Sequence, residues 1–270
     1  MSGPHLAAPA DGALDHVVVN VLRRMDEAAD LFAALGFRLT PRGHHSLGSI
    51  NHLMMTAGPY LELVGVPETG PQRQDVLDSP FGLNGLVVAS RDADATQARL
   101  AAAGLAAGPP AAFSRPVTVD GRVDEARFRT VRVPAHLFPA GRLYHCEHLT
   151  PDLVWRSEWL DHPNGFSGID GLTIESPAPE ADAALYAAAC GAPAEASGTG
   201  STLRLGATRI AIVPGPAARF AALALRFQSL DALEARATAL PEAAWVRHGP
   251  DTATLTLPAF DLRLPCRAAP

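Results

Sequence analysis

Apolar positions recur along the chain in two alternating rhythms. LDHVVVNV (14–21), YLELVGV (60–66) and GLNGLVVAS (82–90) are rich in β-branched residues and read as strands. MDEAADLFAALGF (25–37) instead places Leu31, Phe32 and Leu35 on a helical stripe, with Gly36 as its stop signal. FRLT (37–40) and INHLMMTAG (50–58) are further strand candidates, and Gly58-Pro59 marks the turn before YLELVGV. The first pass is therefore strand, helix, strand, strand, strand.

The same order returns three times. The second copy runs from GLNGLVVAS through the helix DADATQARLAAAGL to the strands AAFSRPV, ARFRTVRV and GRLYHCEHL. The third starts at GIDGLTIES, passes through EADAALYAAACG and ends in STLRLG and TRIAIVPG. The fourth starts at AALALRFQS, with helix LDALEARATAL and strands AAWVRHG, TATLTLP and FDLRLPC. Repetition on this scale predicts an α+β architecture of four βαβββ modules. Aligned, LDHVVV, LNGLVV and IDGLTI put His16, Gly85 and Gly171 at one place. A histidine there is thus a property of the first module and not a requirement of the fold.

The segment 150–168 is polar, contains Trp155 and Trp159 four residues apart, and carries a Pro-Asn-Gly turn. It divides the chain into a first pair of modules, 13–155, a linker, 156–167, and a second pair, 168–270. Residues 1–12 read as a short disordered leader. The two tryptophans are expected to pack the linker onto a domain.

Composition narrows the function classes. The chain has 270 residues, 47% of them hydrophobic, and a net charge of -6; every one of its 22 basic residues is arginine. That mildly acidic, unclustered charge argues against nucleic acid or an anionic membrane as partner. No run approaches the ~20 apolar residues of a membrane helix, and the start lacks a secretory pattern. Three scattered cysteines, Cys146, Cys190 and Cys266, suggest no disulfide framework, so a cytoplasmic setting is expected.

The candidate chemistry starts at Glu62. It lies between leucines in an apolar strand, and a buried carboxylate is paired, protonated or bound to metal. Arg132 is one possible partner. The loop RGHHSLGSINHL adds His44, His45, Asn51 and His52, of which His44 and Asn51 are candidate substrate or acid–base groups. His145 and Glu147 share one strand face and His148 lies on the other. Arg127, Arg129 and Arg132 are candidates for an anion clamp, with Arg132 on the opposite face from the other two. Cys146 reads as a small core residue.

Paired βαβββ modules with a histidine in the first strand and a glutamate in the last resemble the vicinal oxygen chelate superfamily, which includes glyoxalases, extradiol dioxygenases and the fosfomycin- and bleomycin-resistance proteins. More narrowly, GSINHLMMTAGPYLELVGV and CEHLTPDLVWRSEWLDHPNG look like the glyoxalase-like domain of many bacterial proteins, over roughly residues 13–166. The resemblance implies two domains of the glyoxalase/bleomycin-resistance/dihydroxybiphenyl-dioxygenase type. It implies a divalent metal held by His16 and Glu62 from module one, and by Glu147 or, one residue along, His148 from module two. Asn84-Gly85 stands where many relatives have a further histidine. Imidazole and carboxylate ligands suit Fe, Mn, Ni, Zn or Co, with no organic cofactor. In the second pair, Gly171 and Ala211 stand where His16 and Glu62 would be, so that domain is expected to lack the site. The implied function is a lyase, isomerase or dioxygenase acting on a small molecule through vicinal oxygens, with a nearby histidine or carboxylate moving a proton and His44, Asn51 and His145 as candidate catalytic residues. The alternative is a metal-free binding protein. A monomer and a homodimer both satisfy the module pairing.

Overall fold

A computed structural model describes residues 8–106 and 108–269; the leader's first seven residues lie outside the described residues. The first half comprises β1 (Leu14–Leu22), α1 (Met25–Ala34), β2 (Gly43–His44), β3 (Ile50–Met54), β4 (Tyr60–Gly65), α2 (Gln74–Leu77), β5 (Gly82–Ser90), α3 (Ala93–Ala102), β6 (Ala111–Val119), β7 (Arg122–Arg132) and β8 (Arg142–His148). The second comprises β9 (Phe166–Ser176), α4 (Pro179–Cys190), β10 (Ala194–Ser197), β11 (Gly200–Leu205), β12 (Thr208–Pro214), β13 (Arg219–Phe227), α5 (Asp231–Ala237), β14 (Ala244–Gly249), β15 (Thr252–Leu257) and β16 (Leu262–Ala268). Each half forms one eight-stranded sheet, ordered β2-β3-β4-β1-β5-β8-β7-β6 and β10-β11-β12-β9-β13-β16-β15-β14. The α+β class and the repeated module plan follow the hydrophobic rhythm.

β1 and β5 lie at the centre of the first sheet and are buried on both faces, which explains their unbroken apolar runs. Alternate side chains then belong to different layers. Val17, Val19 and Val21 join the helices in a core that runs through both halves of the molecule. Val18, with Leu53, Tyr60, Val64, Val87 and Phe128, lines the opposite, inner face of the first sheet. The outermost strands of that sheet meet: Ser46 N donates to Ser114 O at 2.9 Å. The first sheet therefore curls nearly into a barrel, and its inner face becomes a closed chamber.

Register shows how the modules correspond. β1 runs parallel to β4 with His16 beside Tyr60 and Val18 beside Glu62. β5 runs parallel to β8 with Gly85 beside Arg142 and Val87 beside Tyr144. The two central strands cross symmetrically, Val18 pairing Gly85 and His16 pairing Val87. Module one's His16 and Glu62 thus correspond to Gly85 and Tyr144 in module two.

Two local expectations change. FRLT forms no ladder strand, because the Thr40 side chain takes the Leu53 N–H at 2.9 Å and His162 Nδ1 takes the Arg38 N–H at 2.9 Å. β10, which the apolar pattern does not mark, forms an exposed edge. The linker is stitched to the first half: Trp155 Nε1 donates to Gly58 O, and His162 Nε2 meets Met55 O. Trp155 and Trp159 are both buried against the inner layer.

Candidate active site

A chain of polar side chains crosses the inner chamber. His16 is 4% exposed, and its Nδ1 lies 2.5 Å from Asp15 Oδ1 while its Nε2 lies 3.3 Å from Glu62 Oε2. Strict alternation would point neighbouring residues to opposite faces. A β-bulge in the β1–β5 pairing, between Leu14 and His16, brings the Asp15 carboxylate round to the ring. Asp15 also receives His148 Nε2 at 3.1 Å. At the other end Asn51 Nδ2 donates to Glu62 Oε1 at 2.6 Å and lies 3.3 Å from His45 Nε2. His45 Nδ1 meets Ser49 Oγ at 2.8 Å. Tyr60 stacks on His16 with ring centres 4.6 Å apart, and the Tyr144 hydroxyl is 3.4 Å from His16 Nε2.

Electrostatics follows from that order. Burial works against a charge on His16, but the flanking Asp15 and Glu62 outweigh it and raise its pKa to about 9. Burial likewise opposes ionised Glu62, and the bond to His16 overcomes it, lowering Glu62 to about 2. Asp15 is held ionised by His148 and His16 against its burial. Burial lowers His45 to about 4 and keeps Tyr144 protonated. In the ion-free chain His16 is an imidazolium between two carboxylates.

The chamber holds about 30 Å³ of free space, room for a water or two or for an ion. Beside it opens a larger cavity of about 530 Å³, lined partly by Val133, Phe138 and Leu143. Arg73, Arg142 and Tyr144 line both and form the neck between them.

The donors at His16 and Glu62 fit a divalent ion. Two ligands bound to one ion at about 2.1 Å stand about 3.0–3.4 Å apart, which matches the His16 Nε2 to Glu62 Oε2 separation. Asp15 on Nδ1 is the carboxylate that such histidines carry behind them, leaving Nε2 free for metal. A second candidate set shares Asp15. Its carboxylate, the Cys146 thiol and a His148 nitrogen lie within 4.8 Å of one another. Burial pushes the Cys146 thiol well up, so its thiolate would require a cation beside it.

The expected residues divide sharply. His16, Glu62, Asn51 and His148 meet in the polar chain. Glu147 does not. It faces the helices, 3.4 Å from Arg129 and accepting from Ala93 N at 3.2 Å. The module-two place beside Glu62 by register is Tyr144, three residues earlier, because β8 pairs with β5 further along than the LELV–CEHL match suggests. His145 also faces outward, against Ala189 O at 3.0 Å, and His44 is exposed on β2. Neither is placed to reach the chamber. Glu62 pairs with His16 and Asn51, while Arg132 belongs to Asp75 at 3.4 Å. Arg129 pairs with Asp94 outside the chamber.

Asp15, His45, Tyr60, Tyr144, Arg73, Arg115 and Arg142 were not singled out as chamber residues from sequence. Tyr144 and Arg142 carried a signal in their alternation with Cys146 and His148. Asn84, at the supposed ligand place, is fully buried and accepts Arg142 Nε at 2.6 Å, so it orients an arginine. In the second half, β9 and β12 place Gly171 and Ala211 where His16 and Glu62 stand, leaving that sheet without those two donors.

A family model described as a glyoxalase-like domain matches residues 14–190. That match, together with the fold, sets the chain in the vicinal oxygen chelate class. Within it, the chain belongs to the glyoxalase-like domain family. Solved structures share the fold. A hypothetical protein from Staphylococcus aureus has a TM-score of 0.68 at 11% identity, over 95% of this chain and 99% of that one. The Mn(II)-bound glyoxalase from Novosphingobium aromaticivorans has 0.59 at 16%, over 96% and 83%. A mutant 4-hydroxymandelate synthase from Streptomyces coelicolor has 0.54 at 15%, over 98% and 95%. A search of curated protein sequences finds no match.

Proposed function

We propose that the protein is a divalent-metal-dependent enzyme of the lyase, isomerase or dioxygenase type, acting on a small molecule through two vicinal oxygens. One observation carries this reading: His16 Nε2 and Glu62 Oε2 converge at 3.3 Å inside a closed chamber, with Asp15 behind the imidazole. Likeness in fold to a Mn(II)-bound glyoxalase is consistent with it. His16 and Glu62 would hold the ion, and His148 would act through Asp15. A bound divalent ion supplies Lewis acidity, stabilising negative charge that develops on a substrate oxygen.

The remaining groups have defined work in this reading. Asn51 fixes one Glu62 oxygen so that the other faces His16. Burial holds His45 neutral near pH 7, with its ring nitrogens facing Ser49 Oγ and Asn51 Nδ2. Tyr144 keeps its hydroxyl proton and would donate it in a hydrogen bond to a substrate oxygen at the neck. Substrate enters from the larger cavity and presents its oxygens at the neck. The setting in this proposal is the cytoplasm, as monomer or homodimer; no helix among the described residues is long and apolar enough to cross a membrane.

Metal content tests the proposal. Near one equivalent of divalent metal is expected in the purified protein, lost in His16→Ala and Glu62→Ala and kept in Cys146→Ser. Loss in Cys146→Ser alone would move the ion to the Asp15–Cys146–His148 set. A second reading, a metal-free binding protein, is favoured by Gly85 and Tyr144 standing where a second pair of ligands would be. It predicts no metal in any sample, even after reloading, with ligand binding retained.

A further inference from the structure

Around the larger cavity three arginines, Arg73, Arg132 and Arg142, face two carboxylates, Asp75 and Asp78. All three guanidinium groups surround the carboxylate of Asp75. Arg73 takes most of it, donating from Nε and Nη2 at 2.7 and 2.9 Å. Arg142 stands 3.9 Å away, its Nε committed to Asn84 and its buried Nη2 without any hydrogen-bond partner among the described residues. Elsewhere on the chamber wall Arg115 is 4% exposed, and its Nη2 is also buried without a partner. Buried cationic donors left unmade are costly, so a protein retains them where a ligand completes them.

We propose that the substrate carries an oxyanion, carboxylate or phosphate, which the Arg142 guanidinium binds at the neck beside Arg73 and Tyr144. This rests on the reading of the chamber as the active site and adds the charge of the molecule that enters it. The position is suitable on two counts. Tyr144 OH is 3.4 Å from His16 Nε2, so an anion seated at Tyr144 puts its neighbouring atoms against His16 and Glu62. The adjoining cavity, about 530 Å³ with Val133, Phe138 and Leu143 in its wall, accommodates an apolar body behind the anion. Guanidinium is the donor best matched to either oxyanion, through its fixed fork of N–H groups.

Calorimetric titration of the full chain with benzoate, phenyl phosphate and neutral benzamide tests this, on chelator-treated and Mn²⁺-loaded protein. At least one anion is expected to bind in both states while benzamide does not, and the tighter anion identifies the headgroup. Arg142→Gln and Arg73→Gln are each expected to weaken the anion by about tenfold or more. Arg122→Gln, exposed at the start of β7, is expected to leave it unchanged. Equal binding of benzoate and benzamide, no saturable binding of either anion, or unchanged affinity in both neck variants overturns the proposal. If Arg142→Gln does not fold, Arg73→Gln and the anion–amide comparison decide. Anion binding to chelated protein does not depend on metal, so failure of the metal site and failure of the anion seat give different results.

Discussion

Asp15 shows how much one side chain can organise. It is fully buried, bridges His148 and His16, and leaves His16 Nε2 aimed at Glu62. Replacing it with asparagine keeps the volume but removes the charge. Asp15→Asn is expected to lower metal affinity roughly ten- to a hundredfold while His16 and Glu62 remain in place; competition with a chelating dye measures it. At this scale His16 and Glu62 were legible because a polar group in an apolar strand demands a reason. Asp15 was not, because a β-bulge, which periodicity does not reveal, turns it inward. Arg73 and Arg142 were not, because arginine in a polar loop or at a strand end is ordinary until burial is known.

At the scale of elements, the segment between β4 and β5 closes the neck and is held by two asparagines. Asn20 Nδ2 donates to Val76 O at 2.9 Å and Asn84 Nδ2 to Pro80 O at 2.7 Å. Asn20→Ala takes a donor from Val76 O and from Ser79 O and removes the acceptor of the Leu22 N–H, and is expected to cost about 1–3 kcal/mol in urea unfolding. β5 shows why module two cannot simply copy module one. A Cβ at Gly85 would stand 2.7 Å from Val18 Cβ. Gly85→His is therefore expected to destabilise by roughly 1–3 kcal/mol, read as a lower Tm, and not to add a metal ligand. The place of β8 along β5 belongs to this scale too. The sequence marks β8 as a strand, but a shift of three residues decides whether Tyr144 or Glu147 stands opposite Glu62.

The whole molecule joins an equipped half to a plain one through a shared core. Phe37 packs on Phe32 in its own half and on Phe166 and Phe227 in the other, with ring centres 5.3 to 6.1 Å apart. His145, 2% exposed, faces the same junction through Ala189 O. Burial lowers its pKa from 6.5 to about 4, so the folded state binds its proton less readily than the unfolded chain. That penalty is absent above pH 6.5 and grows as pH falls towards 4. Chelator-treated protein is expected to lose about 2 kcal/mol from this residue between pH 7 and pH 4.5. His145→Gln should lose correspondingly less across that range by urea unfolding. The plain half is expected to bind no metal through Gly171 and Ala211, whatever ion is offered, which equilibrium dialysis of His16→Ala protein checks.

The sequence by itself determined the modules, their fourfold repetition and the presence of His16 and Glu62 in one half alone. Those are local properties, since strand and helix rhythm, turn residues and a misplaced polar side chain each act within a few positions. Tertiary structure decided which groups face which. Closure of the first sheet, the bulge at Asp15 and the β5–β8 register brought residues from distant segments of the first half around one chamber. It also left arginine donors there without partners. Such arrangements depend on contacts between residues far apart in the chain, and no local rhythm encodes those.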